Sequence, residues 1–297
     1  MAHRLALHLL ALSLAVPGLR GQSVPLIRTR VSEVRLTLVA TDGGGRPLSR
    51  LSPANIAVFD DGRPVPRFEL RSADDFPLRV GILLDLSGST RKQWPKVRSL
   101  LTDSLPKLIG PEDSLLLLTF DSKIELQRTV TDPAQLAALV EDSPSGGLTS
   151  LYDAVYQACR HAMFEGGQQP HRSALILFSD GEDNLSRHDL SDAIAEAELT
   201  GVSVYTVSNH DPRRAVHGDT VLRNLATATG GRDFVVKDAA GMRGALAAID
   251  QELRSSYMLY YHPPHDPGKL VFRSVRVLPA QNSGARIRSP QGYFSAP

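Results

Sequence analysis

Three short stretches carry the residues that could do chemistry. Asp85-Leu86-Ser87-Gly88-Ser89 puts one carboxylate and two hydroxyls within five residues, on a backbone tight enough to need Gly88. Gly146-Gly147-Leu148-Thr149 offers a further hydroxyl after a flexible glycine pair, and Phe178-Ser179-Asp180-Gly181 a second carboxylate. Asp85, Ser87, Ser89, Thr149 and Asp180 together form an oxygen-only donor set of low total charge, which suits a hard divalent cation. Mg²⁺ is the leading candidate, and Mn²⁺ or Ca²⁺ would accept the same donors. The bland alternative has Asp85, Ser87 and Ser89 capping a helix start and bonding to their own loop.

These donors could meet only if the elements beneath them converge. The run Leu78 to Leu84 is apolar on both faces, as in a buried parallel strand, and ends at Asp85. Ser114 to Phe120, Ala174 to Phe178, Val202 to Val207 and Phe234 to Val236 read as further strands, with Ile124 to Val130 as an antiparallel edge. Helices alternate with them. Pro95 fits a first turn, Asp132-Pro133 a cap and first turn, and Asp238 caps a helix with Met242, Leu246, Ile249 and Leu253 on one stripe. Gly201 and Gly230 stand where helix ends need a left-handed residue. The alternation predicts an α/β unit with a doubly wound, Rossmann-like, mostly parallel sheet, whose ligands bind at the carboxyl ends of the strands.

Around this unit the pattern is β only. Val31 to Thr41 alternates, Ile56 to Phe59 is a strand, and Asp60-Asp61-Gly62 is a tight turn into a strand over Val65 to Leu70. Tyr257 to Tyr261, Leu270 to Leu278, Ala285 to Arg288 and Gly292 to Phe294 read as strands after it. The simplest packing joins the opening and closing strands into one small β-sandwich; two separate extensions are the alternative. The expected layout is a signal peptide over 1–21, an N-terminal β region over 22–76, the α/β domain over 77–254, and a C-terminal β region over 255–297 packing with 22–76.

The signal reading rests on His3 and Arg4 before an apolar stretch from Leu5 to Val16 that is too short to span a bilayer. The mature chain is expected to be exported, periplasmic or secreted, with no transmembrane segment. Cys159 is the only cysteine, so no internal disulfide is available, and its helical spacing with Leu151 and Val155 predicts a buried small residue. With 33 basic against 32 acidic residues the net charge is +1, which argues against a nucleic-acid partner.

The strand ending in Asp-x-Ser-x-Ser, the distant Thr149 after its glycines and the Asp180-Gly181 strand end resemble the von Willebrand factor type A (VWA) domain, over roughly residues 77–254. The flanking strands, with Asp60-Asp61-Gly62 and the closing Gly-Tyr-Phe, resemble a VWFA-related family of exported proteins described from acidobacteria. Leu148 between the glycines and Thr149 is a minor departure. The resemblance implies a metal-ion-dependent adhesion site (MIDAS). Ser87, Ser89 and Thr149 would coordinate the ion directly or nearly so, and Asp85 and Asp180 would act largely through water. A partner protein's carboxylate would complete the coordination. The expected protein is therefore a binding or adhesion module and not an enzyme. A Mg²⁺-dependent hydrolase or phosphatase, and an envelope component stiffened by its metal, are the competing readings. No Gly-x-Gly-x-x-Gly, Walker lysine or Gly-x-Ser-x-Gly elbow supports the enzyme.

Lesser candidates surround the site. Glu182, Asp183 and Asn184 read as a solvated turn, or alternatively as supports of the last donor or partner contacts, Asp153 as a local hydrogen-bonding group, and Arg91 and Lys92 as a solvated loop or a steering patch. The loop Asn209 to Asp219, with His210, Arg213, Arg214 and His217, is expected to overhang the same face. His262-Pro263-Pro264-His265-Asp266 reads as a loop between strands.

Overall fold

The computed structural model describes residues 33–48, 50–90, 97, 99–101, 104, 110–129, 147–162, 171–210, 213, 216–263, 269–281 and 283–295. The expectations for residues 1–21, Arg91, Lys92, Pro95, Asp132-Pro133, Arg214 and His265 fall outside them.

Six strands build the central sheet: β5 (Leu78–Asp85), β6 (Ser114–Phe120), β7 (Ile124–Thr129), β8 (Arg172–Phe178), β9 (Val202–Asn209) and β10 (Asp233–Val236). Their order is β10-β9-β8-β5-β6-β7; five run parallel and β7 returns antiparallel along β6. From β5 the chain goes one way to β6 and β7, then crosses back to β8 on the other side. Strand order therefore reverses between β5 and β8, the place in such a sheet where a crevice opens beyond the carboxyl ends of the strands.

Helices cover both faces, which explains why the strands carry apolar side chains on both: Val80, Ile82 and Leu84 of β5 face one layer, Leu83 the other, all at 0% exposure. α1 (Leu151–Gln157), α2 (Leu190–Thr200) and α3 (His217–Ala228) pack with Leu83, Leu118, Leu175 and Leu177. α4 (Ala239–Arg254) lays Met242, Leu246, Ile249 and Leu253 on the opposite face, beside Val97, Leu100 and Leu101. The caps expected at Asp238 and Gly201 are present. Asp238 accepts from Gly241 N at 2.9 Å, and Gly201 ends α2 at φ +70°. Cys159 is fully buried beside α1, and burial pushes its thiol far up, away from reactivity.

The flanking segments form two four-stranded antiparallel sheets. One is β13-β1-β11-β4, from β1 (Val34–Thr41), β4 (Glu69–Ser72), β11 (Tyr257–Tyr261) and β13 (Arg286–Arg288). The other is β14-β12-β2-β3, from β2 (Ile56–Asp60), β3 (Arg63–Pro64), β12 (Phe272–Pro279) and β14 (Gly292–Phe294). Each sheet mixes strands from before and after the α/β unit, and the two share one core of Leu36, Leu38, Val58, Leu259, Val275 and Val277. The Asp61-Gly62 turn, both residues at positive φ (46° and 75°), closes the β2–β3 hairpin.

One strand differs from expectation. Val65 to Leu70 is not continuous: β3 pairs with β2, whereas β4 pairs with β11 in the other sheet. Pro66 has no N–H to offer a ladder, and the chain changes sheets across it. Among the described residues no helix is long and apolar enough to cross a membrane.

Candidate functional site

The crevice between β5 and β8 is where the chemistry-bearing residues assemble. Asp85 ends β5 at 0% exposure. Its Oδ1 accepts the Ser87 backbone N–H at 2.9 Å, and its Oδ2 accepts the Ser179 hydroxyl at 2.6 Å across the strand-order reversal. Burial pushes the Asp85 carboxyl up to about 6; the bonds from Ser179 and Ser87 oppose that shift and the nearby charge of Asp180 adds to it. A carboxylate buried here is thus costly until a positive charge joins it.

Ser87 and Ser89 sit above Asp85, with their Oγ atoms 3.1 Å apart. Ser87 is buried and Ser89 exposed, so the donors climb from the interior to solvent. Thr90 folds back to close the turn, its hydroxyl donating to the carbonyls of Asp85 (2.7 Å) and Ser87 (3.1 Å). The hydroxyls of Ser87 and Ser89 are therefore not consumed in capping the backbone.

Thr149 reaches the same edge from the far side of β6. Ser150 N donates to Asp121 O at 2.9 Å, just past the end of that strand. The approach uses Gly147 at φ +136°, which only glycine adopts readily. Thr149 is 3% exposed, and its Oγ1 hydrogen-bonds to none of the described residues. Asp180 follows β8, half-buried, with Oδ1 accepting Glu182 N at 3.2 Å.

The joins between these segments are specific. Asn184 Oδ1 accepts Thr149 N at 2.7 Å, while the N–H groups of Asn184 and Leu185 donate to Thr149 O at 3.0 and 3.1 Å. Asp183 accepts from Tyr152 N and from the Ser186 hydroxyl, and Ser186 Oγ in turn accepts Asp153 N at 3.0 Å. Asp153 Oδ1 accepts the backbone N–H groups of Arg187 and His188 and contacts His188 Nδ1 at 2.7 Å. The loop after Asp180 is in effect sewn to the start of α1. Asp183 and Asn184 are therefore not a solvated turn, as their composition suggested, and Asp153 does not bond locally. Glu182 is exposed, as is Asn184, whose amide oxygen is nevertheless bonded to Thr149 N. The other side of Asp180 rests on α3, where a Cβ on Gly218 would stand 1.9 Å from Asp180 O.

The structure thus brings Asp85, Ser87, Ser89, Thr149 and Asp180 to one edge of the sheet. Composition alone did not single out Ser179, which joins β8 to Asp85; its signal is a hydroxyl at a buried strand end beside Asp180. In the loop after β9, His210 Nε2 contacts Asp219 Oδ1 at 2.8 Å and Arg213 is exposed. Among the described residues no three His, Cys, Asp or Glu side chains converge as a metal cluster. The donor set fits a cation. Adjacent ligands of an octahedral Mg²⁺ at about 2.1 Å lie about 3 Å from each other, and the Ser87 and Ser89 oxygens are already spaced so.

Comparison with known proteins agrees with this architecture. A family model described as "von Willebrand factor type A domain" matches residues 80–247, more than half of the chain. No curated protein matches the sequence. Among solved structures, the conserved hypothetical protein BatB from Bacteroides thetaiotaomicron is 20% identical, over 59% of this chain and 97% of that one, with a TM-score of 0.45. Proximal thread matrix protein 1 from the mussel byssus, with a zinc-occupied MIDAS motif, is 14% identical over 64% of this chain and 49% of that one (TM-score 0.51). The pilus adhesin SpaC from Lactobacillus rhamnosus GG is 10% identical over 83% of this chain and 49% of that one (TM-score 0.49). Five parallel strands, a donor-lined crevice at their reversal and the family match lead to one conclusion: the chain belongs to the von Willebrand factor type A domain family.

Proposed function

We propose that this protein is an exported, metal-dependent protein-binding module. Ser87, Ser89 and Thr149 hold a divalent cation, with Asp85 and Asp180 behind them, and the cation accepts a carboxylate from a partner protein. Membership of a family whose domains mediate protein interactions, often through a bound divalent ion, supports the reading. The observation that carries it is the pair of hydroxyls 3.1 Å apart above a buried, hydrogen-bonded Asp85.

Each residue has a distinct task. Ser179 and the Ser87 N–H fix the Asp85 carboxylate, which orients the Ser87 side and supplies negative charge beneath the ion. Asn184 holds the Thr149 backbone on both its N–H and carbonyl sides. The cation supplies Lewis acidity toward an incoming carboxylate; two protein carboxylates against a double positive charge leave it attractive to a third. Mg²⁺ is the proposed ion, with Mn²⁺ or Ca²⁺ as substitutes. The enzyme alternative fares worse, because both oxygens of Asp85 are already engaged and position 87 is a serine where a phosphotransfer site needs a second acid.

The proposed layout keeps a signal peptide over 1–21, the VWA domain over 77–254, and flanking β regions over 22–76 and 255–297, in a periplasmic or secreted protein. Isothermal titration with Mg²⁺ and Mn²⁺ tests the site: single-site uptake in the wild type, weakened at least tenfold in Ser87→Ala and Ser89→Ala, is expected. Absence of uptake by the folded wild type defeats the reading.

A further inference from the structure

A buried arginine sits where the chain crosses between the β-sandwich and the α/β unit. Arg172, the first residue of β8, is 3% exposed. Its guanidinium is spent on backbone carbonyls: Nε and Nη2 donate to Phe76 O at 3.2 and 3.1 Å, and Nη1 donates to Leu253 O. Phe76 lies on the way in, just before β5, and Leu253 in the last turn of α4, on the way out to β11. One cation thus grips both crossings, and an orphan carbonyl at the negative end of a helix is a favourable place for it.

Other bonds join the same two points. Ala73 N donates to Ser256 O at 3.0 Å, and the Ser256 hydroxyl to Leu253 O at 3.0 Å. Asp113 accepts Leu78 N at 2.8 Å and pairs with Arg254 at 3.0 Å. The end of α4 is therefore splinted to the start of β5 twice, by Arg172 and by Asp113. Both crossings lead into neighbouring strands, β4 and β11, whose pairing carries the splint into the sandwich. The opposite ends of α4 and β5 meet at the candidate site. β5 ends at Asp85, and Met242 in the first turn of α4 borders the same small cavity as Asp85, Thr90, Ser179 and Asn209.

We propose that Arg172 is a long-range positioning residue for the ion. By fixing the height of α4 against β5 it holds Met242 and the Asp85–Ser179 pair in one arrangement, and the site takes up its cation with α4 stationary. This rests on the cation reading above. Arg172 pairs in register with Leu78, seven residues before Asp85, so it lies about 23 Å from the donors along the strands and touches none of them. Its effect passes through the helix. A helix advances about 1.5 Å per residue, so even a one-residue slip of α4 carries Met242 past the side chains with which it shares that cavity. Asp85 is fully buried, and its carboxylate is placed by whatever packs around it.

The test uses the full folded chain and Mg²⁺. Calorimetry is expected to show uptake by Arg172→Met about fivefold weaker than by the wild type, with Arg172→Lys, whose ammonium still reaches one carbonyl, in between. Val58→Ala, in the sandwich core on a strand that neither crossing enters, should lower the melting temperature and leave uptake unchanged. Spin labels on Ala247→Cys of α4 and Leu199→Cys of α2, both exposed positions, report the helix position by pulsed electron resonance. The wild-type distance should stay the same when Mg²⁺ is added, and shift or broaden in Arg172→Met. Uptake by Arg172→Met equal to the wild type, an equal loss in Val58→Ala, or a wild-type helix that moves on Mg²⁺ addition overturns the inference. Should Arg172→Met not fold, Asp113→Asn, which keeps an acceptor for Leu78 N but gives up the Arg254 pair, takes its place with the same expected direction. Failure of the folded wild type to take up Mg²⁺ defeats the cation reading and this inference with it, whereas undiminished uptake by the variants defeats this inference alone.

Discussion

Ser179 shows how one hydroxyl can decide whether a charged site exists. Asp85 lies buried where its carboxyl is pushed up to about 6, and Ser179 is the side chain that satisfies its inner oxygen across the crevice. Ser179→Ala leaves that oxygen without a donor. Groups that orient metal-binding residues typically contribute 10- to 100-fold in affinity, so Mn²⁺ uptake by Ser179→Ala is expected to weaken about tenfold, with Ser179→Thr retaining most of it. Asn184 acts on Thr149 in the same indirect way. Asn184→Ala should weaken uptake, whereas Asn184→Asp, which keeps an acceptor for Thr149 N, should restore much of it; calorimetry on both distinguishes a lost acceptor from a lost fold. Neither residue belongs to the expected donor set, because their importance lies in hydrogen bonds between segments distant in sequence.

At the scale of elements, α2 and α3 carry predictions of their own. Burial pushes the Glu198 carboxyl on α2 up to about 7, from 4.5. Between those values the folded chain holds more protons than the unfolded chain, so this group's contribution falls as pH rises from about 4.5 to about 7. Glu198→Gln should remove that decline and raise stability at pH 8, on the order of 1 kcal/mol, as urea titrations at pH 5 and pH 8 would reveal. A steeper loss in the variant than in the wild type would contradict this. On α3, Gly218 permits backbone contact with Asp180. Gly218→Ala places a Cβ 1.9 Å from Asp180 O, so one backbone must retreat. A clash of this kind typically costs about 1–3 kcal/mol, read as a lower melting temperature, and Mn²⁺ affinity should fall with it because Asp180 moves. The Asp238 cap and apolar stripe of α4 and the left-handed Gly201 follow from local sequence; this approach of helix to loop does not.

At the scale of the molecule, the β-sandwich is held together by buried charge. Asp60 is fully buried and accepts from Arg273 at 2.6 Å, Tyr261 at 3.1 Å and Tyr293 at 2.9 Å, joining β2, β12, β11 and β14. Removing one member of such a buried pair typically costs about 3–5 kcal/mol, because the other charge is stranded. Asp60→Ala is therefore expected to unfold the sandwich at markedly lower denaturant, while Asp60→Leu/Arg273→Met recovers a large part of the loss. A second tie runs from the sandwich to the last helix: Arg288 on β13 pairs with Glu252 of α4, and its Nε donates to Gly230 O at 3.0 Å. β11 follows α4 after only two residues and is clamped by β1 and β4, so the end of that helix is tied to the sandwich through the chain as well.

What the sequence determined by itself is whatever depends on near neighbours. The apolar run Leu78–Leu84 can only be a strand buried on both faces, Asp238 and Gly201 mark helix ends by local hydrogen bonding and φ, and Asp85-x-Ser-x-Ser places donors at a strand end. The tertiary structure alone decided what depends on distant partners. It left most of the expected strand Val65–Leu70 out of any strand, with β3 ending at Pro64 and β4 starting at Glu69, because Pro66 lets the chain leave one ladder and β11 offers another. It turned Asp153, read as bonding locally, and Asp183 and Asn184, read as a solvated turn, into the stitches between two loops, and it made Ser179 the partner of Asp85. The physical reason is the same throughout: periodicity and caps report the free energy of a residue within its own turn or strand, whereas a hydrogen bond across the point where strand order reverses exists only after the sheet has closed.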